Sequence, residues 1–195
     1  MSINDVIDHI RDRTYMGGVE RDNLRVKATG EIFTPTALVR KILEQIPIEQ
    51  FQDPTKTFLD NSCGDGQFLG EVVIRKMEHG STFAQALSTT YGVDLMIDNV
   101  DLCRERLLCG REDLRHIVEQ NIYQANALKF SYEFKPMSAT RLAREQKLRR
   151  QVQKTKQAAD KAKKEQEFKD RATKLFGLVA PKEKSKKPSV VTESI

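Results

Sequence analysis

The chain has 195 residues, 38% hydrophobic and 31% charged, enough for one domain with a core of moderate size plus an appendage and too apolar for disorder throughout. No apolar run approaches the roughly 18 residues that a bilayer span requires, and the start, Met-Ser-Ile-Asn-Asp-Val-Ile-Asp-His-Ile, lacks the basic and apolar regions of a secretion signal, so a cytoplasmic protein is expected. The net charge of +5 is uneven: residues 141–187 hold 17 Lys or Arg against 6 Asp or Glu, a local +11, and the remainder carries −6.

In chain order, residues 1–29 form a polar leader in which Gly17 and Gly18 interrupt any helix begun after Ser2 or Asn4. Between Pro35 and Pro47, Ala37, Leu38, Ile42, Leu43 and Ile46 recur at helical spacing and predict a helix over 36–46. A short apolar strand follows at 57–60, then a glycine turn, then a helix over 68–76 carrying Phe68, Leu69, Val72, Val73 and Ile74. A short helix over 83–87, a second strand over 89–94 and a helix over 99–108 come next. In the last of these Val100, Cys103, Leu107 and Leu108 face inward. Ile117 and Val118 mark 115–121 as a third strand.

Alternating strands and helices predict an α/β fold, with a parallel sheet of three to four strands covered on both faces. From residue 138 the texture changes to Arg, Lys, Gln, Glu and Ala with no Gly or Pro before Gly177, which predicts one long, basic, exposed helix. Leu148, Val152, Ala159 and Ala162 make only a thin stripe along it, and residues 181–195, rich in Lys, Ser and Pro, read as disordered. The organisation expected is a leader at 1–29, a cofactor-binding domain at 30–137, a basic helical extension at 138–180 and a tail at 181–195.

Cys63, Cys103 and Cys109 form no Cys-x-x-Cys pair, and His9, His79 and His116 lie far apart, so neither a disulfide framework nor a metal site is expected. The informative segment is Phe58-Leu59-Asp60-Asn61-Ser62-Cys63-Gly64-Asp65-Gly66-Gln67-Phe68-Leu69. Gly64 and Gly66 lack side chains where the backbone must turn sharply between strand and helix, and the helix presents its positive end there. Asp94, at the end of the second strand, is placed to accept hydrogen bonds from a ribose diol. The arrangement suits a nucleotide-like cofactor, and the bland alternative is a tight turn without a ligand.

Four ordered segments extend this reading: Gly30-Glu31-Ile32-Phe33-Thr34-Pro35, the glycine segment itself, Tyr91-Gly92-Val93-Asp94, and Asn126-Ala127-Leu128. Together they resemble adenine-specific, amino-methylating DNA methyltransferases, and the short methylase-like proteins often encoded by bacteriophages. The resemblance covers roughly residues 28–130. It implies a truncated Rossmann-like domain binding S-adenosylmethionine in a bacterial or phage-infected cell, and methyl transfer to an exocyclic amine of DNA. Phe33 and Thr34 would close over the cofactor. Asp60, Asn61, Cys63, Gly64, Gly66 and Phe68 would surround its methionine part, with Asp94 and Leu95 at its ribose and Asn126 and Ala127 near the adenine. Asn61 replaces the usual proline, and Asn126 the usual acid.

The resemblance stops before the chemistry. The family's Asp- or Asn-Pro-Pro-aromatic tetrapeptide, which accepts hydrogen bonds from the target amine and stacks on the flipped base, has no counterpart, because no two of the 6 prolines are adjacent. Truncation there would leave Phe58 and Leu59 on an open apolar edge. Three coverings follow: residues 129–134 as a substitute fourth strand, a second copy of the chain, or a different subunit supplying the catalytic half. The alternation in Phe130-Ser131-Tyr132-Glu133-Phe134 favours the first.

A non-catalytic, partner-dependent binding subunit is therefore the alternative to an active enzyme. Arg149, Arg150, Lys154, Lys156, Lys161, Lys163 and Lys164 are candidate nucleic-acid contacts. A purely solvated helix, or one docking Phe168, Leu175, Phe176, Leu178 and Val179 into a partner's groove, are the other readings of this extension.

Overall fold

Ser2 starts the first helix by accepting the Asp5 amide while the Asp5 side chain takes the Ser2 amide, a reciprocal cap that fixes α1 (Ile3–Arg11) and buries Val6 and Ile10. The computed structural model describes residues 1–12 and 34–176; Gly17, Gly18, Phe33, the rest of 13–33 and the tail beyond 176 lie outside that range. Pro35 opens α2 (Thr36–Leu43), which stops three residues short of the predicted 46, and α3 (Glu49–Gln52) follows Pro47. Val39 and Leu43 of α2, Phe51 of α3 and Val72 of α4 (Gln67–Glu78) form one buried cluster, against which Ile46, Phe58 and Phe68 pack.

The chain is mixed α/β with a three-stranded, open parallel sheet in the order β1 (Phe58–Asp60), β2 (Thr90–Asp94), β3 (Ile122–Gln124). Register pairs Leu59 with Tyr91 and Val93 with Tyr123, so Leu59, Tyr91, Val93 and Tyr123 share one face and Phe58, Thr90, Gly92 and Ile122 the other. α4 connects β1 to β2, with α5 (Phe83–Ser88) after it, and α6 (Ile97–Leu108) begins the connection from β2 to β3. With strands added in one direction, right-handed crossovers bring α4 and α6 to the same face. There a Cβ on Gly92 would lie 2.7 Å from the end of Leu69 of α4 and 2.9 Å from Cys63 Sγ, so a side chain here would force both to shift.

Two sequence expectations are corrected here. Residues 115–121 are a helix, α7 (Arg115–Asn121), entered through a 3₁₀ turn (Glu112–Leu114), and the third strand is the next three residues. Leu114, Val118 and Asn121 are buried at helical spacing, which outweighs the β-branched Ile117-Val118 pair. The substitute fourth strand is also absent: residues 125–138 have no strand among them.

The aromatics of 130–134 cover a face of the sheet instead of its edge. Phe134 packs on Tyr91 with ring centroids 4.7 Å apart, Phe130 packs on Tyr123 at 5.0 Å, and Phe130 and Phe134 meet at 5.4 Å. Tyr132 takes a left-handed backbone, φ 56°, and donates its hydroxyl to the Ala127 carbonyl. The second face is thus closed by an irregular aromatic strap where a helix was expected.

The final helix, α8 (Ala139–Phe176), is as long as predicted, yet its first turns bury Arg141 and Glu145. The chain divides into two units, 1–150 and 151–195, so these turns belong with the sheet. Glu145 is fully buried and accepts from both Nη atoms of Arg104 (2.7 and 3.1 Å) and from Nε of Arg141 (3.1 Å). Both guanidiniums also donate to the Ile122 carbonyl at the start of β3, and Arg141 lies over the Tyr123 ring. Within 151–174 the helix is exposed almost all round.

Candidate functional site at the strand ends

The carboxyl ends of the strands bring the predicted residues together. After β1 the chain turns at Asn61 and Ser62, and the Ser62 amide donates to Asp60 Oδ1. The Cys63 amide then reaches across to the Val93 carbonyl at 3.0 Å, and the Gly64 amide donates to Asp94 Oδ2 at 3.0 Å. Asp94 Oδ1 accepts from the Met96 amide at 2.7 Å and from Asn99 Nδ2 at 3.2 Å. One carboxylate therefore organises both the glycine turn and the start of α6. The backbone carbonyl of Asp94 accepts from the Ala125 amide, which brings the segment after β3 to the same end of the sheet.

Gly64 and Gly66 both have left-handed backbones, φ 52° and 84°, for different reasons. A Cβ on Gly66 would lie 2.7 Å from Cys103 Sγ, so this glycine lets α6 pack against the turn. At Gly64 a Cβ would meet nothing within 4 Å, so the turn is open on that side and a ligand can approach the backbone. The Cys63 thiol is buried, and its hydrogen bond with Cys103, together with burial, pushes it well above its ordinary value. Burial likewise raises Asp60, with the Asp94 charge adding to the effect and the Ser62 amide opposing it.

Beneath the turn runs a polar chain that sequence reading missed. Asp65 and Arg106, both buried, pair at 3.0 Å; Arg106 also donates to Gln67 Oε1, and Gln67 Nε2 donates to Thr36 Oγ1 at 2.7 Å. The turn is thereby tied to α6, α4 and α2 at once. No local pattern announces this: Arg106 sits inside the apolar periodicity of α6, and Asp65 reads as an ordinary turn residue.

Other predicted residues lie around the rim. Phe68 is half-buried and, with Ile42, Ile46, Phe58, Leu59 and Asn61, lines a groove of about 300 Å³ between α2 and the free side of β1. Thr34 is half-buried just before α2, Leu95 is 55% exposed and Asn126 is exposed, its Oδ1 capping the Leu128 amide; Ala127 is half-buried. Phe33 lies outside the described residues.

Of the basic candidates, Arg149 is bound to Asp101 by two 2.7 Å hydrogen bonds and to Glu145 by a third, while Arg150, Lys154, Lys156, Lys161, Lys163 and Lys164 are exposed. Among the described residues no helix is long and apolar enough to cross a membrane, and no cluster of His, Cys, Asp and Glu could hold a metal. No protein-family model, curated protein or solved structure matches the chain.

Proposed function

We propose that the strand-end site binds S-adenosylmethionine, and that the chain is the cofactor-binding part of a Rossmann-like, adenine-methyltransferase-like fold. The observation that carries this is the hydrogen bond from the Gly64 amide to Asp94, which joins the tips of β1 and β2 around a turn left open at Gly64. In open α/β sheets nucleotide-like ligands bind outside the carboxyl ends of the strands, the end at which this turn and Asp94 lie. The exposed backbone at Gly64 would meet the amino-acid part of the ligand and Asp94 its ribose hydroxyls. Bound there, the cofactor would supply an activated methyl group.

The purified chain, in this reading, does not transfer that methyl group to DNA by itself. Phe134 is engaged in aromatic packing with Tyr91 and Phe130, and Tyr132 is tied to Ala127, so neither is presented as a platform for a flipped base. A partner protein would complete the reaction, or the site would serve as a sensor of the cofactor. Incubating the purified chain with methyl-labelled S-adenosylmethionine and DNA tests both halves together. Retention of label on the protein with none on the DNA is expected; label on DNA amines would reinstate an enzyme, and no retention on the protein would remove the cofactor reading.

A further inference from the structure

The exposed part of α8 carries a pattern that its composition conceals. Steps of three and four residues return to nearly the same side of a helix, and from 154 onward they select Lys154, Gln157, Lys161, Lys164, Phe168 and Arg171. At 1.5 Å per residue this row is about 26 Å long. All its residues are exposed, Phe168 by 74%, and no acid occupies a position in it.

Among the described residues, Lys154, Lys161, Lys164 and Arg171 make no ion pair. The acids lie elsewhere. Asp160, Glu167 and Asp170 lie on another side of the helix with Lys156, Lys163 and Lys174; Asp160 is also four residues from Lys164 and Glu167 four from Arg171, without an ion pair to either, and Glu165 on the margin of the row, four residues from Lys161, pairs instead with Lys169 at 3.5 Å.

A row of cations that make no ion pair is complementary to a row of fixed anions. A lipid surface fits poorly, because interfacial helices need a broad apolar face, and here Val152 and Phe168 are the only large apolar side chains described within 151–174. Lying inside a duplex groove also fits poorly, since the acid-bearing side would then face the second wall of phosphates. Contact with one phosphate row avoids that repulsion, and the aromatic within the row offers a stacking surface for an unpaired base.

We propose that Lys154, Lys161, Lys164 and Arg171 form a sequence-independent binding surface for the phosphodiester backbone of a nucleic acid, with Phe168 alongside it. The surface lies outside the strand-end site and stands whether or not that site binds its cofactor.

The test is fluorescence anisotropy of the full chain with a labelled oligonucleotide, single-stranded and duplex, across a salt series. Four phosphate contacts predict an affinity that falls about 150-fold between 50 and 200 mM salt for a duplex and about 50-fold for a single strand. Replacing Lys154, Lys161, Lys164 and Arg171 by Gln should weaken binding at least about tenfold and flatten the salt dependence by about one contact per residue removed. Replacing Lys156, Lys163, Lys169 and Lys174 by Gln removes the same charge from other sides and should change affinity less than about threefold. Circular dichroism checks that both variants keep the helix. A loss confined to the single strand in Phe168→Ala would place that ring on a base, and equal behaviour of the two substrates would leave phosphates as the contact. Equal losses in the two quadruple variants, no binding by the wild type at low salt, or binding to anionic vesicles in preference to DNA would overturn the proposal.

Discussion

At the scale of single residues, the two turn glycines separate packing from backbone conformation. Gly66→Ala would combine a left-handed backbone with a methyl 2.7 Å from Cys103 Sγ, and should cost about 3 kcal/mol of unfolding free energy. Gly64→Ala meets no neighbour and should cost about 1 kcal/mol from its backbone alone. Urea denaturation of both, together with Gly66→Ala in a Cys103→Ala background, checks the division: removing the thiol should return part of the Gly66 loss and leave the Gly64 loss unchanged. Asp94→Asn removes the charge and keeps only one of the two acceptor oxygens, so its NH2 group faces either the Gly64 or the Met96 amide. It should bind S-adenosylmethionine at least about tenfold more weakly and lose about 1 to 3 kcal/mol of unfolding free energy.

At the scale of elements, the buried cluster at Glu145 decides whether the start of α8 belongs to the sheet. Burial alone would raise this carboxyl, but the Arg104 and Arg141 guanidiniums outweigh it and hold it below the ordinary glutamate range. A depressed acid contributes stability above its unfolded value, about 4.3, and loses it as the pH falls through the lower folded value. The protection of the 139–150 amides against hydrogen exchange, relative to an unstructured chain at the same pH, should therefore be high at neutral pH and fall selectively below about pH 4. Glu145→Ala, which leaves two buried guanidiniums facing each other, should cost about 3 to 5 kcal/mol and expose the same segment at neutral pH. Unchanged protection in that variant would show that the docking rests on other contacts.

The sequence disclosed the helical character of α8 because helix formers run unbroken through it. It hid the docking, because Glu145 and Arg141 look like any other charges in a charged run and their partners Arg104 and Ile122 lie far away in the chain. β1, β2 and the helices after them were legible from apolar spacing and from the glycines between them. β3 was not: three residues are too few to set a period, and the more convincing β-branched pair just before it is helical. The alternation of Phe130, Tyr132 and Phe134 pointed to a fourth strand, but the segment is irregular and its rings cover a sheet face, because alternation alone does not distinguish pairing at an edge from packing on a face. For the candidate site, the glycines and Asp94 were visible as strand-end residues, whereas the Asp65–Arg106–Gln67–Thr36 chain beneath them needed the fold to bring its members together.

At the scale of the whole molecule, the sheet ends at β1, whose outer side carries no strand among the described residues and whose Leu59 is 51% exposed and lines a groove with Ile42 of α2. An uncovered edge with apolar neighbours invites pairing with other chains. Leu59→Lys should leave the unfolding midpoint within about 1 kcal/mol of the wild type and raise the concentration at which light scattering detects association. No increase would mean that this edge is not where chains meet.

The edge and the strand-end site border each other, because Asp60 and Asn61 both follow Leu59 and line the groove beside it. A partner seated on β1 would therefore lie next to the turn at which the cofactor is proposed to bind. The strand-end site is proposed to recognise S-adenosylmethionine through the glycine turn and Asp94. Isothermal titration of S-adenosylmethionine into the wild-type chain, with Asp94→Asn as comparison, tests it most directly. Saturable one-to-one binding by the wild type, weakened at least about tenfold in Asp94→Asn, is predicted; no heat in either protein, or equal affinity in both, would contradict it.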